Sequence, residues 1–135
     1  MARTSVAVTP LTANGSISTA AGTTIDSTLV TNGVKIALAS TAIPAAYDAT
    51  RGFFLRVTNT NGTDRVCTVR KGASNPPAFQ KDLGDLAVTV VATSGDVLIG
   101  PLDLARFVQT DGSIYVDFGT SMTGKITAYI LPRTV

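Results

Sequence analysis

The chain has 135 residues, 44% hydrophobic and 15% charged, with eleven Lys and Arg against nine acidic residues and a net charge of +2. That length makes one domain, with core enough to fold without disulfide or metal, and the composition excludes a disordered chain. So weak and scattered a positive charge leaves no footprint for nucleic acid.

Thr4 to Leu11 alternates around Val6 and Val8 and predicts a first strand, with Pro10 at an edge or strand end because it cannot donate to a ladder. Residues 12–32 are rich in Ser, Thr, Ala and Gly, and "GTTID" reads as a short strand inside a surface loop or arm; residues 1–32 together read as an extended N-terminal arm or an edge segment. Val34, Ile36 and Leu38 share one face of the next strand, and "IPAAYD" (Ile43–Asp48) is a connection. "FFLRVTNTNGTDRVCTVRKG" (Phe53–Gly72) reads as a hairpin: Phe53, Leu55 and Val57 on one face, a turn rich in Asn, Gly and Asp, then a return strand from Val66 to Lys71.

The long loop "GASNPPAFQKDLGD" is stiffened by Pro76 and Pro77. Leu86, Val88 and Val90 define another strand, and Val97 to Ile99 a short one ended by Gly100-Pro101. Leu102 to Arg106 suits a brief helical turn. Phe107–Gln109 and Ser113–Phe118 flank the tight-turn signal Asp111-Gly112. Ile126, Ala128 and Ile130 form the last inward face, opposite Thr127, Tyr129 and Leu131. The predicted fold is all-β: one domain over residues 1–135, a β-sandwich or jelly roll of about eight short antiparallel strands. Its expected core is Phe53 or Phe54 with Leu55, Val57, Val69, Leu86, Val88, Val90, Phe107, Val116 and Ile126.

The chain has no His, no Trp and no Glu, so all its acidic residues are Asp. Without histidine, nucleophilic triads lose their base and zinc, copper and haem sites lose their commonest ligand. Cys67 is the single cysteine; mid-strand, it reads as a small buried hydrophobe. Asp64, Asp85, Asp96 and Asp111 stand in turn contexts, where capping the backbone accounts for them. Asp82, Asp85 and Asp96 could gather oxygen ligands for calcium, but the turn reading is favoured because no EF-hand spacing is present. Sugar or single-strand nucleic-acid binding would want aromatic platforms, and Tyr47, Tyr115 and Tyr129 read as core-edge residues. No catalytic residue, cofactor or metal ligand is therefore assigned. The N-terminus lacks the apolar run of a signal peptide and no stretch is long enough to span a membrane, so synthesis and folding in a cytoplasm are expected.

The stretches "VTNTNGTDRVCTVRKG", "NPPA", "GDLAVTV", "IGPLDLARFVQTDGSIYVDF" and "GKITAYILPR", spread from about Arg51 to Arg133, resemble small virion proteins of tailed bacteriophages, particularly those infecting actinobacteria. "LTANGS" and "AGTTID" echo the same group more weakly. The resemblance implies a head decoration (cement) protein without enzymatic activity, on the outer capsid surface of the virion. Its partner would be the lattice of the major capsid protein, with no nucleic acid or membrane bound, and a homo-oligomer, most simply a trimer, would seat at three-fold positions. A tail, neck or fibre component and a glycan-binding module are the alternatives. Two segments poor in core residues are the expected contacts. The N-terminal stretch through Asp26 supplies Val6, Val8, Leu11 and Ile17; the proline-stiffened loop from Ser74 to Asp85 supplies Asn75, Pro76, Pro77 and Phe79. On this reading, removing residues 1–12 weakens attachment without unfolding the domain.

Overall fold

A computed structural model describes residues 2–12, 14–18, 22–38, 52–72, 84–102, 104–109 and 111–132. Ten strands occur among them: β1 (Thr4–Ser5), β2 (Val8–Pro10), β3 (Thr23–Ile25), β4 (Val34–Ala37), β5 (Phe53–Asn59), β6 (Arg65–Val69), β7 (Leu86–Val90), β8 (Gly95–Ile99), β9 (Ser113–Phe118) and β10 (Gly124–Ile130). Two short helices, α1 (Ser27–Asn32) and α2 (Leu104–Phe107), complete the described elements. Sheet I has the order β1-β4-β9-β6-β7; sheet II has the order β2-β10-β5-β8, with β3 also paired to β10. Their inward faces share one hydrophobic core, which makes the domain an all-β sandwich.

The pairing is not wholly antiparallel. β1 runs parallel to β4, and β2 parallel to β10. The predicted first strand is thus two strands in different sheets. Val6, between them, is 5% exposed and belongs to the core, so the chain crosses the sandwich edge there with its side chain turned inward. This N-terminal stretch completes an edge of each sheet.

The segment from Phe53 to Gly72 is not a hairpin. β5 pairs with β10 and β8, whereas β6 pairs with β7 and β9, so residues 60–64 carry the chain from sheet II to sheet I. A hairpin needs both strands in one ladder, and here each strand finds its partners elsewhere. β7 to β8 and β9 to β10 also change sheets. The three crossings are bonded together. Thr93 N donates to Asn61 O (2.8 Å), Asn61 Nδ2 to Ser121 O (2.8 Å), and Thr60 N to Thr123 O (3.0 Å).

Residues 22–32 hold more structure than a loop. β3 forms at "GTTID" as expected, and α1 follows, with Asp26 as its N-cap accepting from Leu29 N at 3.0 Å. Gly33 ends α1 at φ +74, and a Cβ there would collide with Arg3 and Asp117 side-chain atoms. Phe107 to Gln109 is not a strand: Phe107 ends α2, and Val108 makes a single bridge to Ile114. The turn at Asp111-Gly112 is present, closed by Gln109 N to Ser113 O at 2.8 Å.

Most of the expected core is buried, with Phe53, Leu55, Val57, Val69, Val90, Phe107, Val116 and Ile126 all at or below 2% exposure. Leu86 and Val88 are only half-buried against it. On β10 the alternation expected at Thr127 and Tyr129 fails, because both are buried. Something packs on the outside of sheet II.

Candidate functional site: a groove on the outer face of sheet II

Alternation along β5, β8 and β10 sends Phe54, Arg56, Asp96, Leu98 and Tyr129 outward from sheet II. Tyr129 and Phe54 are register partners, and their rings lie 5.3 Å apart, tilted by 32°, to form an aromatic floor. Leu98, the register partner of Arg56, forms one wall and is 66% exposed. The other wall is the segment after β2, anchored by Leu11 N to Ile130 O at 2.9 Å, which brings Leu11 and Ile17 over the sheet. The groove is open to solvent and has a volume of about 410 Å³. This covering explains why Tyr129 is 4% exposed on what would otherwise be a solvated face.

One end of the groove is ionic. Arg56 Nε donates to Asp96 Oδ1 at 2.9 Å, and Arg56 Nη2 pairs with Asp96 Oδ2 at 2.5 Å, a two-pronged bridge. The hydrogen bond from Arg56 holds the Asp96 carboxyl below its ordinary range, and the same bond raises the guanidinium. Both groups are charged at neutral pH and neutralise each other. The surface the groove offers to a visitor is therefore mostly apolar, with this mutually bonded charge pair at one end.

The outer face of sheet I is chemically different. Arg3 Nη1 bonds Asp117 Oδ1 at 2.8 Å and its guanidinium stacks 4.3 Å over the Tyr115 ring. Arg70 bridges Asp117 (3.5 Å) and Asp85 (3.2 Å). A run of alternating charges crosses this sheet, which suits a face turned to water.

Leu11 and Ile17, two of the sequence-predicted contacts, come together in the groove. Val8 is half-buried against the core, and Val6 lies within it, so Val6 presents no side chain to a partner. Asn75, Pro76, Pro77 and Phe79 lie outside the described residues, as do Tyr47 and Asp82. Asp85 and Asp96 are not brought together. Asp85 accepts from Lys71 N at 2.7 Å beside sheet I, while Asp96 sits in strand β8 rather than a turn and pairs with Arg56. Among the described residues no three His, Cys, Asp or Glu side chains cluster to hold a metal ion. Asp64 and Asp111 do cap turns, accepting from Ala92 N (2.8 Å) and Ser113 N (3.0 Å). Cys67 is buried, and its thiol is pushed up to about 12 by burial, with the Asp117 charge adding to the shift.

Sequence reasoning missed Phe54, Leu98 and Tyr129 as groove residues. Each stands in ordinary strand alternation, and nothing local says that its face will be roofed by Leu11 and Ile17. Comparison with protein-family models, curated proteins and solved structures found no match for this chain. Among the described residues no helix is long and apolar enough to cross a membrane.

Proposed function

We propose that this chain is a non-enzymatic virion structural protein that binds the outer surface of a tailed-phage capsid, as a decoration protein on the major capsid protein lattice. The stretches resembling phage virion proteins supply the partner. The observation that carries the binding mode is the unlike chemistry of the two outer faces. Sheet I presents mutually paired charges suited to solvent, and sheet II presents an apolar groove with an aromatic floor and an exposed leucine.

A groove of this size accepts one or two apolar side chains, and a neutralised ion pair at its end adds orientation with little desolvation penalty for the visitor. Each such contact is weak. Repetition over a symmetric lattice makes the attachment firm through effective concentration. Sheet II is the capsid-facing side, and sheet I faces outward.

The test is co-sedimentation of purified chain with phage heads that lack it. Wild type is expected to bind, and Leu98→Asp, which puts a charge on the groove wall, is expected to lose most of that binding at unchanged stability. Labelling of tails alone, or equal binding by Leu98→Asp, overturns the proposal.

A further inference from the structure

An edge strand offers unpaired N–H and C=O groups to any extended chain, and proteins blunt such edges with short strands, charge or proline. Among the described residues four edge strands are blunted. β1 has two residues and lies beside Arg3; β2 has three and ends in Pro10; β3 has three and is followed by Asp26; β8 carries Asp96 and stops at Gly100-Pro101. The fifth, β7, is different. Leu86 to Val90 contains no charge, glycine or proline, and the uncharged run continues through Val91, 55% exposed, and Ala92. Among the described residues no strand lies beyond it.

The core is also unfinished on this side. Val88 and Leu86 face inward opposite Cys67 and Val69 of β6. Cys67 and Val69 are fully buried, while Leu86 and Val88 keep part of their surface in water. A neighbouring strand would cover them.

We propose that β7 is a homotypic assembly edge, pairing antiparallel with β7 of a second copy about a two-fold axis through Val88. The strand is complementary to itself. In that register Val88 lies opposite Val88 of the other copy, Leu86 opposite Val90, and Ala87 opposite Thr89. Directly opposite residues share a face, so apolar side chains meet on the core side and small neutral ones outside. A register one residue away would put the second core on the wrong face of the joint sheet. Among the described edges no other could pair with itself so: β8 is charged and β1, β2 and β3 are too short. The pairing joins two five-stranded sheets into one. It makes the basic unit a two-fold dimer in place of the trimer expected from the sequence resemblance.

The experiment is sedimentation equilibrium of the full chain over a dilution series, with amide hydrogen exchange read at Ala87 and Thr89, whose N–H groups point away from β6. Wild type is expected at twice the 13.9 kDa mass of one chain, with exchange at these amides slowing as concentration rises. The double variant A87K/T89K sets ammonium groups opposite one another across the axis and is expected to run as a single chain. A87K/T89D sets ammonium opposite carboxylate and is expected to restore the dimer. A wild-type monomer or trimer, concentration-independent exchange, a dimeric A87K/T89K, or a monomeric A87K/T89D overturns the proposal. If neither variant folds, the wild-type mass and exchange decide.

Discussion

The side-chain amide of Asn59, wholly buried, donates to the carbonyl oxygen of Val90 at 3.0 Å, tying the chain's crossing after β5 to the crossing after β7. The same Nδ2 reaches Thr63 O at 3.1 Å and Val91 O at 3.2 Å, and Asn59 Oδ1 accepts from Asn61 N at 3.0 Å. One amide thereby satisfies backbone groups from two segments far apart in sequence, in a place where water would otherwise be needed.

Replacing it should expose that dependence. Asn59→Ala removes the donor from one buried and two partly buried carbonyls and is expected to cost roughly 2–4 kcal/mol, at about 1–3 kcal/mol for a buried unsatisfied group. Asn59→Asp should cost at least as much, because a carboxylate would face carbonyl oxygens. Denaturant unfolding checks this; a midpoint within error of wild type for both variants would show that the crossings hold without the amide.

Thr93, in the crossing from β7 to β8, holds φ at +69, a conformation that costs a β-branched residue about 1–2 kcal/mol. Asn tolerates this region through its short polar side chain. Thr93→Asn is therefore expected to raise stability by up to ~1 kcal/mol, seen as a higher thermal midpoint. A fall in the midpoint would mean that the threonine side chain contributes more than its backbone strain costs.

Leu55 and Leu98 contrast the two sides of sheet II. Leu55 is 0% exposed and Leu98 66%. Leu55→Ala should cost about 2–5 kcal/mol through lost burial and the cavity left behind. Leu98→Ala should stay within about 0.5 kcal/mol of wild type. Comparable losses at both would show that Leu98 packs within the folded chain and is not a free wall of the groove.

Cys67 should be inert in the folded chain, since its raised ionisation leaves almost no thiolate at neutral pH. A disulfide reagent is expected to modify it only after unfolding. The pH dependence has a definite sign. The unfolded thiol ionises near its ordinary 9.0 and the folded one near 12, so stability is intact below pH 9 and falls through the window between them. The slope is about 1.4 kcal/mol per pH unit from this group alone. Cys67→Ala should lack that component, so the wild-type advantage over the variant shrinks as pH rises; a constant difference from pH 8 to pH 11 would contradict the assignment.

The N-terminal stretch should not be removable. Deleting residues 1–12 takes away β1, β2, the buried Val6 and the Arg3–Asp117 bridge, and strips an edge from both sheets. The truncated chain is expected to lose its cooperative unfolding transition, contrary to the dispensable arm that composition suggested. A sharp transition near the wild-type midpoint would return these residues to the status of an arm.

The all-β class, the position of most strands and the inward residues of β4, β5 and β10 were legible in the order of residues alone. Those facts rest on period-2 alternation and turn residues, which are local. The ground for naming Val6, Val8, Leu11 and Ile17 as contacts, a stretch with few core residues, does not hold, because Val6, Ile25 and Leu29 are buried in the core. Which strands pair depends on contacts between segments far apart in the chain. Asn59 to Asp64 has the chemistry of a hairpin turn and serves equally well as a crossing between sheets; the choice depends on β10, β8, β7 and β9, whose ladders and buried faces compete for β5 and β6. The groove was hidden for the same reason. Phe54, Leu98 and Tyr129 occupy outward strand positions that water normally covers. They line a groove only because the parallel pairing of Val8 to Pro10 with β10 carries Leu11 and Ile17 across that face.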